Sequence, residues 1–485
     1  MPVLVLESST SSAKAMVFDS SQGVLRKVSK PYPDFSASAL GVQNPEAVFA
    51  ATLEAGREAA AGCPISAIGL SGIWHGLVLL DHRLKPLPHS FTWEFSTAAP
   101  AAMEIRKQES LTAELYHTTG CVPHSTFAPY IYLYLKNAPE WLKLRYFGSN
   151  DEEKLKTIQL TMQGSFNYLK LTGEYCLSRS QAAGNSLLSI RELDYSERIL
   201  ALMGVGRSQL PHLVCYEDTA PLLPSVADKL RVQPGIPVVS CQPDGALNQV
   251  GENALEPRIM TLSVGTSAAM RLSVPEPRFP KSGMFCWNYD APTTYLCGCA
   301  IAGGTNCIEW FRQQYPLSYE QLETLIVSSE VSTPVFLPFL FGERCPGWRD
   351  ERRGGFAPNT PLDWLNKPNL MYTGILEGIC FNLRQCFDAL VELNDRPRKI
   401  ILSGGILNSP GWSQLLADVL QAPLTVSRNP QASMRGAAQL AMLATDEIFS
   451  LSDCFGEEDQ EIIEPKANYQ EKYEKYLQVY ENFKD

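Results

Sequence analysis

The chain has 485 residues, which is enough for two or three domains that each have their own hydrophobic core. Apolar residues make up 45% and charged residues 19%, as in an ordinary soluble globular protein. Its 41 Lys and Arg against 52 Asp and Glu leave a net charge of −11, which disfavours nucleic acid and anionic membrane as partners. We therefore expect a small-molecule substrate.

Cysteine use and the amino terminus predict a cytoplasmic protein. The 13 cysteines are an odd number and contain no Cys-x-x-Cys, which favours a reducing compartment. The apolar run at 3–6 lacks a basic start and is not typical of a signal peptide. No apolar stretch reaches the roughly 18 residues needed to span a bilayer.

Two similar β-hairpins are predicted, one in each half of the chain. Apolar runs at 3–6 and 15–18 flank a Ser/Thr-rich turn. The pattern recurs at 259–272, where the turn is Gly265-Thr266-Ser267. Aligning the two turns pairs Thr10 with Thr266, Ser11 with Ser267 and Ala13 with Ala269. We interpret the repeat as one hairpin in each half, both directed at a shared ligand.

The remaining elements predict an α/β protein. Strands are expected at 67–70 and 77–80, followed by a helix-rich stretch at about 100–200. Pro234-Gly235 precedes a candidate strand at 236–240, and we place a domain boundary there. Strands and helices then alternate, with strands at 335–340 and 399–402 and helices at 370–393 and 412–420.

The carboxy-terminal segment predicts a helix with one aromatic face. A 4-3-4-3 spacing places five rings on the same side: Tyr469, Tyr473, Tyr476, Tyr480 and Phe483. We interpret it as a helix that docks on its own chain; the alternative is a helix that binds a partner.

Two segments carry carboxylates in positions suited to chemistry. Glu7 to Lys14 supplies an acid, several hydroxyls and a cation within one turn, a set that suits phosphate and a metal ion. Asp244 follows a predicted strand end, where ligands of open α/β sheets bind. It can therefore act as a general base or, alternatively, cap the next helix.

Short glycine turns are candidate phosphate and adenine sites. Gly265-Thr266-Ser267 and Gly303-Gly304-Thr305 can direct backbone N–H groups at phosphate. The segment from Ser403 to Asn408 lies between a strand and a helix, and its glycines would let a flat ligand approach the backbone. Neither a P-loop nor a Gly-x-Gly-x-x-Gly dinucleotide motif is present in the sequence.

In this order, the segments resemble those of the FGGY carbohydrate kinases over nearly the whole chain. Glu7 to Lys14 resembles the first phosphate motif, and Leu70 to Gly76 resembles the sugar-site motif of xylulokinases. The stretches from Asp244 to Gly251 and from Leu262 to Arg271 resemble the catalytic and second phosphate motifs of gluconokinases. The long family signature is resembled by Phe339 to Pro346 with Trp348 and Gly354. The adenosine site is resembled by Gly404-Gly405 through Asp418, with Ser433 and Gly436-Ala437-Ala438.

The resemblance implies a two-domain actin-like ATPase (ribonuclease H-like) fold with an interdomain cleft. We expect a sugar-binding amino-terminal domain at 1–233, a nucleotide-binding carboxy-terminal domain at 234–460, and the docking helix at 461–485. The implied activity is ATP-dependent phosphorylation of a small sugar or sugar acid.

The resemblance also implies residue roles. Asp244 would be the catalytic base, the sugar would contact Trp74, His75, Trp93 and Asp244, and Mg²⁺ would be held by Glu7 and Asp244. The expected ATP contacts are Thr10, Ser11, Ser12, Lys14, Gly265, Thr266, Ser267, Gly303, Gly304, Gly404, Gly405 and Asn408.

Several positions depart from the family pattern. Glu7 and Ser9 stand where the family has Asp and Gly, so Glu7→Asp is expected to keep or raise activity. Ile73-Trp74 replaces the usual residues before the sugar-site histidine, and the segment after Trp93 lacks both charged residues of the family. The phosphate and aspartate motifs favour gluconate, whereas Gly72 and the His75-Gly76 pair favour a ketopentose, so both stay open as substrates. Gluconate is an anion and would need a cation nearby, but the position where the family often has one is Thr97 here.

Other classes of function stay open at this point. The same fold serves ATPases without a sugar substrate, and Glu7 and Ser9 are compatible with a sugar sensor of weakened activity. Ser11-x-x-Lys14, Ser165-x-Asn167 and Lys281-Ser282-Gly283 also occur in the order of a penicillin-binding acyl-enzyme. The oligomeric state is open too, with a homodimer among the alternatives.

Overall fold

The computed structural model describes residues 1–33, 35, 40–279, 283–289, 294–340, 342–364, 366–429, 431–451 and 460–483. Its strands are β1 (Val3–Ser8), β2 (Ser12–Asp19), β3 (Gly23–Pro31), β4 (Val42–Gln43), β5 (Ile68–Gly72), β6 (Gly76–Leu80), β7 (Pro86–Thr92), β8 (Gln159–Thr161), β9 (Cys176–Ser178), β10 (Leu188–Ser189), β11 (Asp194–Tyr195), β12 (His212–Val214), β13 (Thr219–Pro221), β14 (Pro237–Val239), β15 (Gln242–Pro243), β16 (Ile259–Val264), β17 (Ala268–Val274), β18 (Phe285–Asn288), β19 (Tyr295–Ile301), β20 (Phe336–Leu337), β21 (Gly355–Phe356), β22 (Lys399–Ser403), β23 (Leu424–Val426) and β24 (Ile462–Ile463).

The helices are α1 (Pro45–Ala60), α2 (Ala99–Arg106), α3 (Glu109–Thr119), α4 (Ala128–Lys136), α5 (Glu140–Phe147), α6 (Glu152–Leu155), α7 (Gln163–Thr172), α8 (Arg179–Gly184), α9 (Glu197–Met203), α10 (Pro224–Leu230), α11 (Asp244–Gly251), α12 (Thr305–Gln314), α13 (Tyr319–Glu323), α14 (Pro368–Leu393), α15 (Pro410–Leu420), α16 (Ala432–Leu443) and α17 (Gln470–Asn482). No described helix is both long enough and apolar enough to cross a membrane.

Two mixed sheets organise the two halves of the chain. The amino-terminal sheet has the order β13-β14-β5-β1-β2-β3, with β15 also paired to β5. The carboxy-terminal sheet has the order β18-β19-β17-β16-β22-β23-β24. In each sheet a hairpin (β1 and β2, or β16 and β17) has a strand parallel to its first member on the other side. The hairpin repeat seen in the sequence therefore corresponds to the same local topology in both halves.

The amino-terminal sheet is buried on both faces, and this explains why β1 is an unbroken apolar run. Successive side chains of a strand point to opposite faces. Leu4 and Leu6 accordingly join a core cluster with residues of α1, α7 and α10, whereas Val3 and Val5 join another with residues of α11 and α16. Helix α16, from the carboxy-terminal half, thus covers one face of the amino-terminal sheet.

The domain boundary predicted between 233 and 234 lies inside the amino-terminal sheet. Strands β14 and β15 follow that point, yet both pair in parallel with β5. The Pro234-Gly235 turn therefore connects α10 to β14 within one sheet and does not separate domains. The chain passes from the amino-terminal to the carboxy-terminal sheet between α11 and β16.

The strand predicted at 335–340 is shorter than expected, since only Phe336–Leu337 forms a strand, paired with β21. Pro334 and Pro338 flank this pair and have no N–H to donate to a sheet.

The aromatic face of α17 packs on the body of the protein. Tyr473 and Tyr476 are buried, with ring centroids 5.9 and 5.6 Å from that of Phe381 in α14. The Tyr480 hydroxyl donates to Glu343 Oε1 at 2.6 Å. These contacts are those expected of a helix that docks on its own chain.

Candidate active site

Glu7 is held by groups from both halves of the chain. It ends the buried run of β1, where the sheet register places Lys14 of β2 on one side and Ser71 of β5 on the other. Lys14 Nζ donates to Glu7 Oε1 at 2.8 Å, and the Ser71 hydroxyl donates to Oε2 at 3.0 Å. The Ser433 hydroxyl of α16 also donates to Oε2, at 2.7 Å. Both oxygens of Glu7 are therefore engaged.

Asp244 lies at the start of α11, close to Glu7. Its Oδ1 accepts from the backbone N–H of Gly245 at 2.7 Å, and no other donor of the described residues reaches the carboxylate. Burial and the negative charge of Glu7 raise the pKa of Asp244 to about 6. A half-buried carboxylate with one free oxygen and a pKa near neutrality has the properties of a general base.

Three aromatic residues named by the sequence lie near Asp244 and the first hairpin, and we call Trp74, His75 and Trp93 together the aromatic wall. Trp74 donates from Nε1 to the Ser180 carbonyl at 3.0 Å, and His75 Nδ1 lies 2.7 Å from the Gly184 carbonyl. Because a carbonyl only accepts, Nδ1 carries the proton and Nε2 is left as an acceptor. Burial and the charge of Arg344 hold the pKa of His75 well below its usual value, so the ring is neutral.

Trp93 connects this wall to the turn of the first hairpin, because its Nε1 donates to the Thr10 hydroxyl at 3.0 Å.

The turn of each hairpin is closed by a backbone hydrogen bond, although the two acceptors are at different positions of the turn. Ser9 N–H donates to the Ser12 carbonyl at 3.1 Å, and Gly265 N–H donates to the Ser267 carbonyl at 2.9 Å. The Ser9 hydroxyl donates to the same Ser12 carbonyl at 2.7 Å, so the serine that replaces the family glycine fastens its own turn. Thr10 and Ser12 are half-buried and Ser11 is exposed.

The glycine turns of the carboxy-terminal half meet at the end of its sheet. Thr305 N–H donates to the Gly265 carbonyl at 2.7 Å. A Cβ on Gly304 would lie 2.5 Å from that same carbonyl oxygen, and one on Gly404 would lie 2.4 Å from the Val264 carbonyl oxygen. Three turns predicted to contact ATP, at 265–267, 303–304 and 404–405, are therefore in one place, with exposed Asn408 just beyond.

Two cations near the wall received no role from the sequence. The Arg271 guanidinium carbon lies 5.9 Å from the Trp74 ring centroid, and that of Arg344 lies 5.9 Å from the Trp93 ring centroid. Both residues come from the carboxy-terminal half. The sequence did contain a signal for Arg271, because a charged residue is unusual in a mostly apolar, buried strand such as β17.

A buried ionic cluster joins the two halves beside this wall. Asp350 Oδ2 pairs with Arg106 Nη1 at 3.0 Å, while its Oδ1 accepts from the Ser125 hydroxyl at 2.5 Å and lies 3.0 Å from His124 Nε2. Although burial opposes ionisation, His124, Ser125 and Arg106 hold the pKa of Asp350 below its usual value. None of these residues was a predicted site residue.

The acyl-enzyme alternative fits the structure poorly. Ser11 lies in the turn between β1 and β2 and not at a helix start, and Lys14 is paired with Glu7. Lys281 and Ser282 lie outside the described residues.

The carboxylates of the cleft suit a water-mediated role toward a metal ion. Within the described part of the chain no three His, Cys, Asp or Glu side chains form a metal-binding group. Glu7 has no free oxygen, and Asp244 has one. Mg²⁺ is commonly held by one or two carboxylates, several waters and substrate phosphates, which this pair can accommodate.

Comparisons with known proteins agree with this architecture. The N-terminal domain model of the FGGY family of carbohydrate kinases matches residues 3–251, and its C-terminal domain model matches residues 260–445. The fold and the site together define a class of protein, the two-domain α/β kinases in which each half contributes a hairpin to the site. The chain belongs to the FGGY family of carbohydrate kinases, and the predicted actin-like fold is confirmed.

Particular relatives extend the match to nearly the full length. A gluconokinase of Bacillus subtilis is 27% identical over 480 residues, covering 94% of this chain and 90% of its own. The ligand-bound xylulose kinase of Lactobacillus acidophilus superposes with a TM-score of 0.88 at 25% identity, covering 99% of this chain and 98% of its own. The gluconate kinase of the same organism has a TM-score of 0.87 at 25% identity, with the same coverage.

Proposed function

We propose that this protein transfers the γ-phosphoryl group of ATP to a hydroxyl of a small sugar or sugar acid, with Asp244 as the general base. The observation that carries this proposal is the Asp244 carboxylate, which has one free oxygen and a pKa of about 6 beside an aromatic wall. The family membership of the chain supports the same reaction class.

The proposed reaction has one covalent step. The substrate hydroxyl gives its proton to the free oxygen of Asp244, its oxygen bonds to the γ-phosphorus, and the bond to the β–γ bridging oxygen breaks to release ADP. Such phosphoryl transfer has a loose transition state, so the protein acts mainly by positioning and by stabilising charge. Asp244 is suited to both tasks because the first turn of α11 holds its other oxygen.

The remaining residues position the two substrates. The hydroxyls and N–H groups of Thr10 to Ser12 and of Gly265 to Ser267 would face the phosphates, and Gly404, Gly405 and Asn408 would face the adenosine. Lys14 is paired with Glu7, so it would act by orienting that carboxylate. Mg²⁺, when bound, supplies charge neutralisation at the phosphates, and Glu7 and Asp244 would hold it through water.

The test is an Asp244→Asn variant in an assay that couples ADP release to sugar phosphorylation. We expect kcat to fall by about 10²–10⁴-fold, the usual scale of general base catalysis, with the KM for ATP little changed. Because the base must be ionised, kcat/KM of the wild type should fall as the pH is lowered through 6.

Asp228→Asn is the matched control, since that carboxylate is exposed on α10. Turnover of Asp244→Asn within a few-fold of the wild type would refute the assignment. ATP hydrolysis that no sugar or sugar acid stimulates would favour the ATPase alternative.

A further inference from the structure

The guanidinium groups of Arg271 and Arg344 lie beside the aromatic wall, each over a tryptophan ring. Neither forms a hydrogen bond or an ion pair with any residue that the structure describes, and the Nε atom of each is buried. Burial lowers the pKa of both groups, and the charge of Arg344 lowers that of Arg271 further. Two half-buried cations near one another are unfavourable unless an anion joins them.

Among the described residues, the two carboxylates that attract these guanidiniums do not provide that anion. Asp244 attracts Arg271 without pairing with it, and its free oxygen faces the reaction proposed above. Asp350 attracts Arg344, but its two oxygens are already bound by Arg106, Ser125 and His124. His75 between them is neutral. Because Asp350 is already bound, the described carboxylates that attract the two guanidiniums leave Asp244 alone to balance them, an excess of one positive charge.

The sequence around Asp244 makes room for Arg271. A Cβ on Gly245 would lie 2.6 Å from Arg271 Nη2 and 2.8 Å from Trp74 Cε3. Glycine at this position thus allows the guanidinium to lie between the helix start and the aromatic wall. Arg271 consequently lies next to the residue that follows the base in the chain.

The phosphates of ATP are less suitable partners for this pair. The turn that would bind them ends at Ser267, four residues before Arg271, which corresponds to about 13 Å along strand β17. Both guanidiniums lie against tryptophans of the aromatic wall, on the side assigned to the sugar. Arginine also matches the planar, two-oxygen geometry of a carboxylate.

We propose that Arg271 and Arg344 together bind a carboxylate of the acceptor substrate, so that this kinase phosphorylates a sugar acid in preference to a neutral sugar. This inference rests on the proposed function, because it assumes that the acceptor occupies the cleft beside Asp244. The chemical class implied is an aldonate that carries its hydroxyl for phosphorylation at the end remote from the carboxylate.

The experiment compares a six-carbon aldonate with the uncharged alditol of the same chain length and with a ketopentose. For the wild type we expect kcat/KM on the aldonate to exceed the values on both neutral compounds by at least about 100-fold. Sites built to bind a polar group can reject analogues lacking it by about 10⁴–10⁵-fold. For Arg344→Gln we expect the KM for the aldonate to rise by about 10- to 100-fold, with the KM for ATP unchanged. Arg344→Lys, which keeps the charge, should recover part of the loss.

Arg349→Gln is the matched control, because that arginine is exposed in the same segment. Preference of the wild type for a neutral sugar would overturn the proposal, as would an equal loss by Arg344→Gln on aldonate and neutral substrates. If Arg344→Gln does not fold, two other measurements decide the question. The first is the substrate preference of the wild type, and the second is a calorimetric comparison of aldonate and alditol binding to the Asp244→Asn variant. Preferred phosphorylation of a neutral sugar that depends on Asp244 would reject only the role of the two arginines, whereas no phosphorylation of any acceptor would reject the proposed function itself.

Discussion

At the scale of single residues, Glu7 shows how a departure from a family pattern can be built into its surroundings. A glutamate is one methylene longer than the aspartate it replaces, and here that length reaches three donors on β2, β5 and α16. The Ser433 bond is the one that crosses between the two halves of the chain. The extra methylene therefore connects the first hairpin to the carboxy-terminal half.

This geometry reverses the expectation from sequence for Glu7→Asp. The shorter side chain cannot keep all three bonds, and losing one hydrogen bond to a charged group costs about 1.5–3 kcal/mol. We expect kcat/KM for Mg-ATP to fall by roughly 10-fold or more, since 1.4 kcal/mol is a factor of ten. Steady-state kinetics at saturating acceptor measure this, with Glu46→Asp on the exposed start of α1 as the control. Unchanged or higher activity would mean that the three donors do not matter for the reaction.

At the scale of elements, the crossing of α11 and α16 depends on glycine. A Cβ on Gly251 would lie 1.9 Å from the Ala432 carbonyl oxygen, and one on Gly436 would lie 2.2 Å from the Leu247 carbonyl oxygen. Gly69 of β5 has a similar contact, 2.2 Å, with the Ala437 carbonyl oxygen. This close packing places the helix that starts with Asp244 beside the helix that carries Ser433.

Gly436→Ala tests this crossing. Because the added methyl meets backbone and not a flexible side chain, we expect a loss of about 1–3 kcal/mol, the usual cost of overpacking. A lower melting temperature in a thermal scan, together with reduced turnover, is the predicted result. Gly206→Ala is the control, since a Cβ there meets nothing nearer than 3.7 Å. Equal melting temperatures for the two variants would contradict the packing argument.

At the scale of the whole molecule, Asp350 joins the two halves next to the cleft. Its partners Arg106, His124 and Ser125 come from the amino-terminal half, and Asp350 is more than 200 residues away from each along the chain. Removing the Asp350 carboxylate would leave Arg106 with the more exposed Glu351 as its ionic partner, and loss of one member of a buried pair costs about 3–5 kcal/mol. The closed arrangement should therefore depend on this carboxylate.

We predict that Asp350→Asn shifts the protein toward a more open form. The radius of gyration from small-angle scattering should increase, and the KM for the acceptor should rise because the cleft must close around it. Glu351→Gln is the control, since Glu351 pairs with the same Arg106 but its side chain is 39% exposed, and exposed pairs contribute about 0–1 kcal/mol. An unchanged radius and KM for Asp350→Asn would show that the cluster does not control closure.

Local patterns in the sequence were enough to determine the two hairpins, the long helices and the carboxylate that follows β15. These features depend on side-chain alternation, helical spacing and turn residues, which act between neighbours in the chain. The family motifs added the order of the segments and, with them, the fold class. The sequence by itself thus determined the class of protein and the position of Asp244.

Only the tertiary structure decided which distant groups share the cleft. From the sequence, a cation for an anionic substrate was expected at position 97, which is Thr97. In the structure, Arg271 and Arg344 contact the aromatic wall from the other half of the chain. It also placed the domain boundary before β14, although sheet membership is decided by pairing with β5. The physical reason is the same in both cases, because charge balance and strand pairing join residues far apart in the chain and leave no local pattern in it.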